Sequence, residues 1–235
     1  MEQKNNLSIP LAIVFAGILV AGAVIFTGNN GGSTNTEPIA NAPQEPQYNL
    51  DAVRPIDDAD YVRGNRNAQV VIVEYSDTEC PFCKQFHTTM KKIIDEYGSS
   101  GKVAWVYRHF PLDQIHKKAR VEAHALECAG EIGGNDKFWE YTDRLYEITP
   151  ANDGLDLEEL PRIAAYVGID VARFNTCMDS GRHNEKIEAD LQNAVATGGR
   201  GTPWNIIITK NGIKIPISGA YPFEQLKAEI DRIIK

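Results

Sequence analysis

Gln69 to Cys83 reads QVVIVEYSDTECPFC, and this stretch decides the reading of the chain. Gln69–Tyr75 is a short β-branched apolar run, which predicts a buried strand. Glu74 lies inside that run, six residues before Cys80. A buried carboxylate is costly unless paired or protonated, so Glu74 is either a strand-end acid reaching solvent or a buried acid with a function. Past Ser76–Glu79, Cys80-Pro81-Phe82-Cys83 opens a helix. Phe82, Phe86, Met90, Ile93, Ile94 and Tyr97 recur at helical spacing, Pro81 suits the first turn, and Gly98 and Gly101 end it.

Working outward, Lys102–Tyr107 predicts a second strand, so strand, helix and strand form a parallel βαβ crossover. A helical block follows, with segments at His116–Glu131, Asp136–Glu147, Leu155–Val167, Val171–Ser180 and Glu185–Thr197. Trp204–Thr209 returns to strand, Lys210-Asn211-Gly212 makes a hairpin turn, Ile213–Ser218 is its partner, and Pro222–Lys235 closes as a helix. No internal repeat is present.

On the N-terminal side, Leu7–Thr27 carries no charge. At about 1.5 Å per residue it spans about 30 Å, enough for a bilayer core. An uncleaved anchor (7–27) is expected over a cleaved signal, because the apolar run continues past Ala21-Gly22-Ala23. Lys4 before the span puts residues 1–6 in the cytoplasm and the rest outside. Residues 28–55 read as a flexible tether, leaving 56–235 as the domain. The 235 residues carry a net charge of −8, which argues against a general nucleic-acid binder. Four cysteines are too few for a disulfide-rich mini-protein.

A C-x-x-C pair is half a zinc site or a redox couple. Zinc normally needs a second close Cys or His pair, and Cys128 and Cys177 lie far away; no metal is expected. His87, on the helix after Cys83, reads as a solvated surface residue. The redox reading explains more. Cys80 follows a strand and caps a helix, where free N–H groups stabilise a thiolate. Cys80 is expected to be exposed and to exchange with substrate, and Cys83 to be more buried and to resolve the mixed disulfide. Pro81 stiffens the intervening dipeptide.

With these residues in hand, the chain resembles the DsbA family of thioredoxin-fold disulfide oxidoreductases. The matching residues are Val73–Asp77 before Cys80–Cys83, Arg108-His109-Phe110-Pro111-Leu112 with His116 and an Ala-rich helix after it, Lys137-Phe138-Trp139, and Gly201-Thr202-Pro203. The resemblance covers about 56–235. It implies a thioredoxin-like α/β fold with an inserted α-helical domain (about 113–197). It also implies a cis-proline at Thr202-Pro203 facing the cysteines, Thr202 tuning the sulfurs, and Glu74 relaying protons to the buried cysteine. The pair departs from the most oxidising members in having Phe82 where they carry His, and Asp77 and Glu79 would raise the thiol pKa if close.

Cys128 and Cys177 either pair with each other, as is favoured outside the cytoplasm, or stay as buried core thiols. Phe138, Trp139, Tyr141 and Tyr146 read as core. His116 and His124 need not be ligands, and Lys117, Lys118 and Arg120 read as a solvated face. The role of Trp204 is left open. The expected function is introduction of disulfides into exported proteins with free thiols, with no cofactor and with a membrane or soluble partner for recycling. A reductase or isomerase of the same fold is one alternative, and a membrane-tethered holdase without turnover another.

Overall fold

A computed structural model describes residues 47–235. The expected tail, anchor and first part of the tether, residues 1–46, lie outside the described residues. Among the described residues no helix is long and apolar enough to cross a membrane.

Five strands form one sheet: β1 Tyr61–Gly64, β2 Val70–Ser76, β3 Val103–His109, β4 Trp204–Thr209 and β5 Lys214–Ser218, in the order β1-β3-β2-β4-β5. β2 is parallel to β3 and antiparallel to β4, and all seven of its residues are buried. A central strand covered on both faces has no solvent side, hence its apolar run, which Glu74 alone interrupts before Ser76. β4 and β5 form the expected hairpin. β1 was not anticipated. It is four residues long, reads YVRG, and pairs antiparallel with β3 at the sheet edge, too short to show a period.

The helices are α1 Pro81–Tyr97, α2 Ala119–Ile148, α3 Glu159–Tyr166, α4 Val171–Ser180, α5 Asn184–Ala196 and α6 Phe223–Ile233. The architecture is the expected α/β sheet with a helical insertion between β3 and β4. α2 unites two expected helices, but Gly134 breaks it with φ 78° and ψ −171°. That left-handed φ is one a side chain resists.

Alternation along β2 sorts its side chains. Val70 and Ile72 face a core built with Phe86, Met90 and Ile93 of α1, Trp105 and Tyr107 of β3, and Leu226 and Ile230 of α6. Val71, Val73 and Tyr75 face the opposite core with Val106, Ala194, Trp204 and Ile206. By the same parity Glu74 points to the α1 side, towards the cysteines.

The tether boundary at 55 needs correction. Leu50–Ala52 form a 3-10 turn and Val53 is buried. Asn193 of α5 donates to the Ala52 carbonyl (2.7 Å) and accepts from the Arg54 amide (3.1 Å). The Arg54 guanidinium reaches Asp190 at 2.9 Å. Arg108, fully buried, binds Asp60 through two nitrogens, both at 2.9 Å, and the carbonyls of Arg54 and Pro55. Polar partners on α5 and β3, invisible in local composition, hold this segment on the domain.

Candidate active site

Cys80 occupies the N-cap position of α1 with extended backbone, and Pro81 opens the helix. Cys80 and Cys83 are free thiols. Cys80 is only 4 % exposed, against the expectation of an open nucleophile, whereas Phe82 beside it is 62 % exposed. The reason is the facing loop: the Thr202-Pro203 peptide is cis, and the Cys80 thiol lies 3.5 Å from the Thr202 carbonyl.

The two thiols differ sharply. Cys80 is lowered to about 6, chiefly by donation from the Cys83 thiol, against burial, with further help from the Thr202 side chain and the N–H groups of Cys83 and Phe82. That shift favours the thiolate of Cys80 at neutral pH. Cys83 is pushed well above its ordinary value by burial, then by its bond to Cys80 and the charges of Cys80 and Glu74. The Asp77 amide donates to its sulfur at 3.4 Å. This is a nucleophile beside a proton-holding partner.

Both acids expected to oppose the helix are buried and held in hydrogen bonds of their own. The Asp77 carboxylate accepts from the amides of Glu79 (2.8 Å) and Leu112 (2.7 Å) and pairs with His116 Nδ1 at 2.9 Å. The Glu79 carboxylate accepts from the Gly154 amide at 3.3 Å. His116, read from the sequence as bland, is instead a neighbour of the site. Burial disfavours its charged ring, yet the bond to and charge of Asp77, with the Cys80 charge, hold its pKa above the ordinary value. Its partner lies 39 positions away, so sequence spacing gave no signal.

Glu74 is completely buried, so the solvent-reaching reading is wrong for it. It accepts from Ser76 Oγ at 2.7 Å and from Trp105 Nε1 at 2.8 Å. Burial raises it to about 8, against those two bonds, with a smaller push from the Cys80 charge. His87 also departs from expectation. It is buried, pairs with Asp143 at 2.8 Å and stacks on Tyr146. Trp204 is buried, donates to Thr197 Oγ1 at 2.9 Å and stacks on Tyr48.

Away from the site, Cys128 and Cys177 are joined, with Cα atoms 5.8 Å apart, linking α2 to α4. The groupings of metal-ligating side chains found among the described residues both include Cys177, whose sulfur is already bonded, and neither includes Cys80 or Cys83.

A family profile described as thioredoxin matches residues 57–232. Among curated relatives, the protein named Na(+)/H(+) antiporter NhaA 3 of Salinispora tropica is 35% identical over 186 residues, covering 77% of this chain and 26% of that protein. NhaA 1 of Salinispora arenicola is 33% identical with the same coverage. The chain thus spans about a quarter of the length of the curated relatives it matches. Among solved structures, Pseudomonas aeruginosa DsbA2 is similar at a TM-score of 0.63 and 28% identity, covering 77% of this chain and 97% of that one. BdbD from Bacillus subtilis, in its oxidised form, gives 0.67 at 21% identity, with 77% and 95% covered. At that identity the second likeness is one of fold.

Proposed function

Because the chain belongs to the thioredoxin family and within it is a DsbA-like disulfide oxidoreductase, we propose that it donates disulfides to exported proteins. The carrying observation is the placing of Cys80 at the N-cap of α1, one turn before Cys83 and 3.5 Å from the Thr202 carbonyl, an arrangement in which its thiol is held below the ordinary value. A thiolate stabilised in the reduced pair makes the corresponding disulfide a better oxidant, and Cys80 a better leaving group.

In the oxidative cycle a client thiolate attacks Cys80 Sγ of the Cys80–Cys83 disulfide. The sulfur–sulfur bond breaks, Cys83 leaves as a thiolate, and the Glu74 carboxyl supplies it with a proton. A second client thiolate then attacks the client sulfur of the mixed disulfide, and Cys80 leaves as the stabilised thiolate. The client has lost two electrons and the enzyme holds them. The second client thiol, rather than Cys83, therefore ends this direction. Cys83 resolves the mixed disulfide only in the reverse, reductive direction. A membrane or soluble partner must accept the two electrons for another turnover. The Thr202-Pro203 segment, which leads into β4 beside the Cys80 sulfur, supports pairing with a client strand.

The apolar stretch 7–27 supports attachment to a membrane with the domain outside, and the Cys128–Cys177 bond fits an oxidising compartment. Equilibration with glutathione buffers tests the direction. A reduction potential of about −120 to −180 mV is expected of a donor, and one near about −270 mV would overturn it in favour of a reductase. Cys80→Ser with Cys83→Ser separates out a holdase: client protection that survives without both sulfurs refutes the enzyme reading.

A further inference from the structure

Glu74 does not stand alone below the cysteines. Its Oε1 accepts from Ser76 Oγ at 2.7 Å, Ser76 Oγ lies 3.0 Å from Tyr146 OH, and Tyr146 OH lies 3.1 Å from Tyr107 OH and 3.3 Å from the Asp77 carbonyl. Asp77 is the residue whose amide donates to Cys83 Sγ. All of these side chains are buried. The chain of hydroxyls therefore runs from the acid to the loop that wraps the buried sulfur. It draws on three separate elements: β2, β3 and the far end of α2.

We propose that Ser76 and Tyr146 are positioning residues of the exchange reaction, coupling the protonation of Glu74 to the backbone on either side of Asp77, whose carbonyl meets Tyr146 and whose amide donates to Cys83. The coupling follows from donor and acceptor counting. Each hydroxyl has one hydrogen to give. With Glu74 ionised, Ser76 donates to the carboxylate and Tyr146 donates to Ser76. With Glu74 protonated on Oε1, the acid donates to Ser76, Ser76 to Tyr146, and Tyr146 to the Asp77 carbonyl. Trp105 donates to Oε2 in both states. Polarising that carbonyl acts on the same loop whose amide faces the sulfur that gains or loses the proton. Chains of this kind strengthen cooperatively in a low-dielectric interior.

The groups facing Glu74 are Cys80 and Cys83 at the start of α1, Trp105 and Tyr107 from β3, Asn205 as its register partner on β4, and Tyr146 from α2. Among the described residues Glu74 has no ion-pair partner, so the hydroxyls and the indole carry its stabilisation.

The inference rests on the exchange reading, and the experiment keeps the two apart. In the reduced full-length protein the NMR signal of the Trp105 indole N–H reports Glu74 ionisation, with a midpoint near 8 expected. Tyr146→Phe removes the donor that supports the charged form, whose bonds are the stronger ones, and should raise the midpoint by about half a unit. The pH midpoint of thiol–disulfide exchange should move with it. Ser76→Ala removes the first link and serves if Tyr146→Phe does not fold. Tyr141→Phe, which deletes a buried hydroxyl of the same helix bonded to the Leu160 carbonyl, should leave the midpoint in place. A midpoint unmoved in both Tyr146→Phe and Ser76→Ala, or moved equally in Tyr141→Phe, overturns the coupling. A moved midpoint in a parent that shows no exchange sustains the coupling and sinks the exchange reading instead.

Discussion

Replacing Glu74 by Gln should flatten part of the pH dependence of folding, and the size follows from one number. The Glu74 carboxyl sits at about 8 in the folded protein against 4.5 as an ordinary glutamate, because burial disfavours its charged form. Below pH 4.5 it is protonated in both states and contributes no difference. Between 4.5 and 8 the unfolded chain has released the proton and the folded chain has kept it. The folded state then binds more protons, and stability falls as pH rises, by about 1.4 kcal/mol per unit. By pH 8 the accumulated loss is about 4 kcal/mol. Gln cannot ionise, yet its carbonyl still accepts from Trp105 and its amide can meet Ser76. Glu74→Gln should therefore match the parent near pH 4.5 and exceed it by about 3–4 kcal/mol at pH 8, allowing up to about 1 kcal/mol for an imperfect hydrogen bond. Urea unfolding of the reduced proteins, followed by tryptophan fluorescence from pH 5 to 8, measures the difference, in which the titrating groups that do not sense the Glu74 charge cancel and the two thiols that do sense it add only a smaller change. Parallel stability curves for parent and variant would show that Glu74 is ionised in the folded protein, and the proposed proton relay would lose its donor.

Other consequences are open to direct measurement. Iodoacetamide should alkylate Cys80 with a pH midpoint near 6, and Thr202→Val should move that midpoint upward; an unshifted thiol near 9 would contradict the N-cap argument. Changing Cys128 and Cys177 together to Ser opens a closed loop with a sequence separation of 49. It should lower unfolding free energy by up to about 4 kcal/mol while leaving the Cys80 midpoint alone. Asp60→Asn leaves the buried Arg108 guanidinium without its charged partner and should cost about 3–5 kcal/mol in denaturant titration. A loss below 1 kcal/mol there would mean that the carbonyls of Arg54 and Pro55 suffice.

The sheet and the redox helix were legible because they rest on local signals. A strand buried on both faces is mostly apolar, a helix has to repeat its apolar face, and Pro81 and the glycines mark the ends. What escaped depends on contacts distant in sequence. β1 exists because Tyr61–Gly64 meets β3, and nothing within YVRG announces it. Residues 47–55 have the composition of a tether and are fixed by Asn193 and Asp190, more than 130 positions away. His87 and His116 were read as bland for the same reason, since Asp143 and Asp77 reach them only in the fold. Glu74 was undecided between solvent and interior. Strand parity places it on the α1 side, but only the sheet order shows that β2 has no open face.

The bond between Cys128 and Cys177 has a consequence for a protein that exchanges disulfides. Both sulfurs belong to residues with no exposed surface. Exchange requires in-line approach of a thiolate to a sulfur, so another copy's reduced Cys80 cannot reach this bond while the helices stay packed. The chain thus carries one cysteine pair set up for exchange, with Cys80 at a helix N-cap facing a loop, and one bond withheld from it inside packed helices. The withheld bond must then close before α2 and α4 finish packing, while both sulfurs are still within reach of an oxidant.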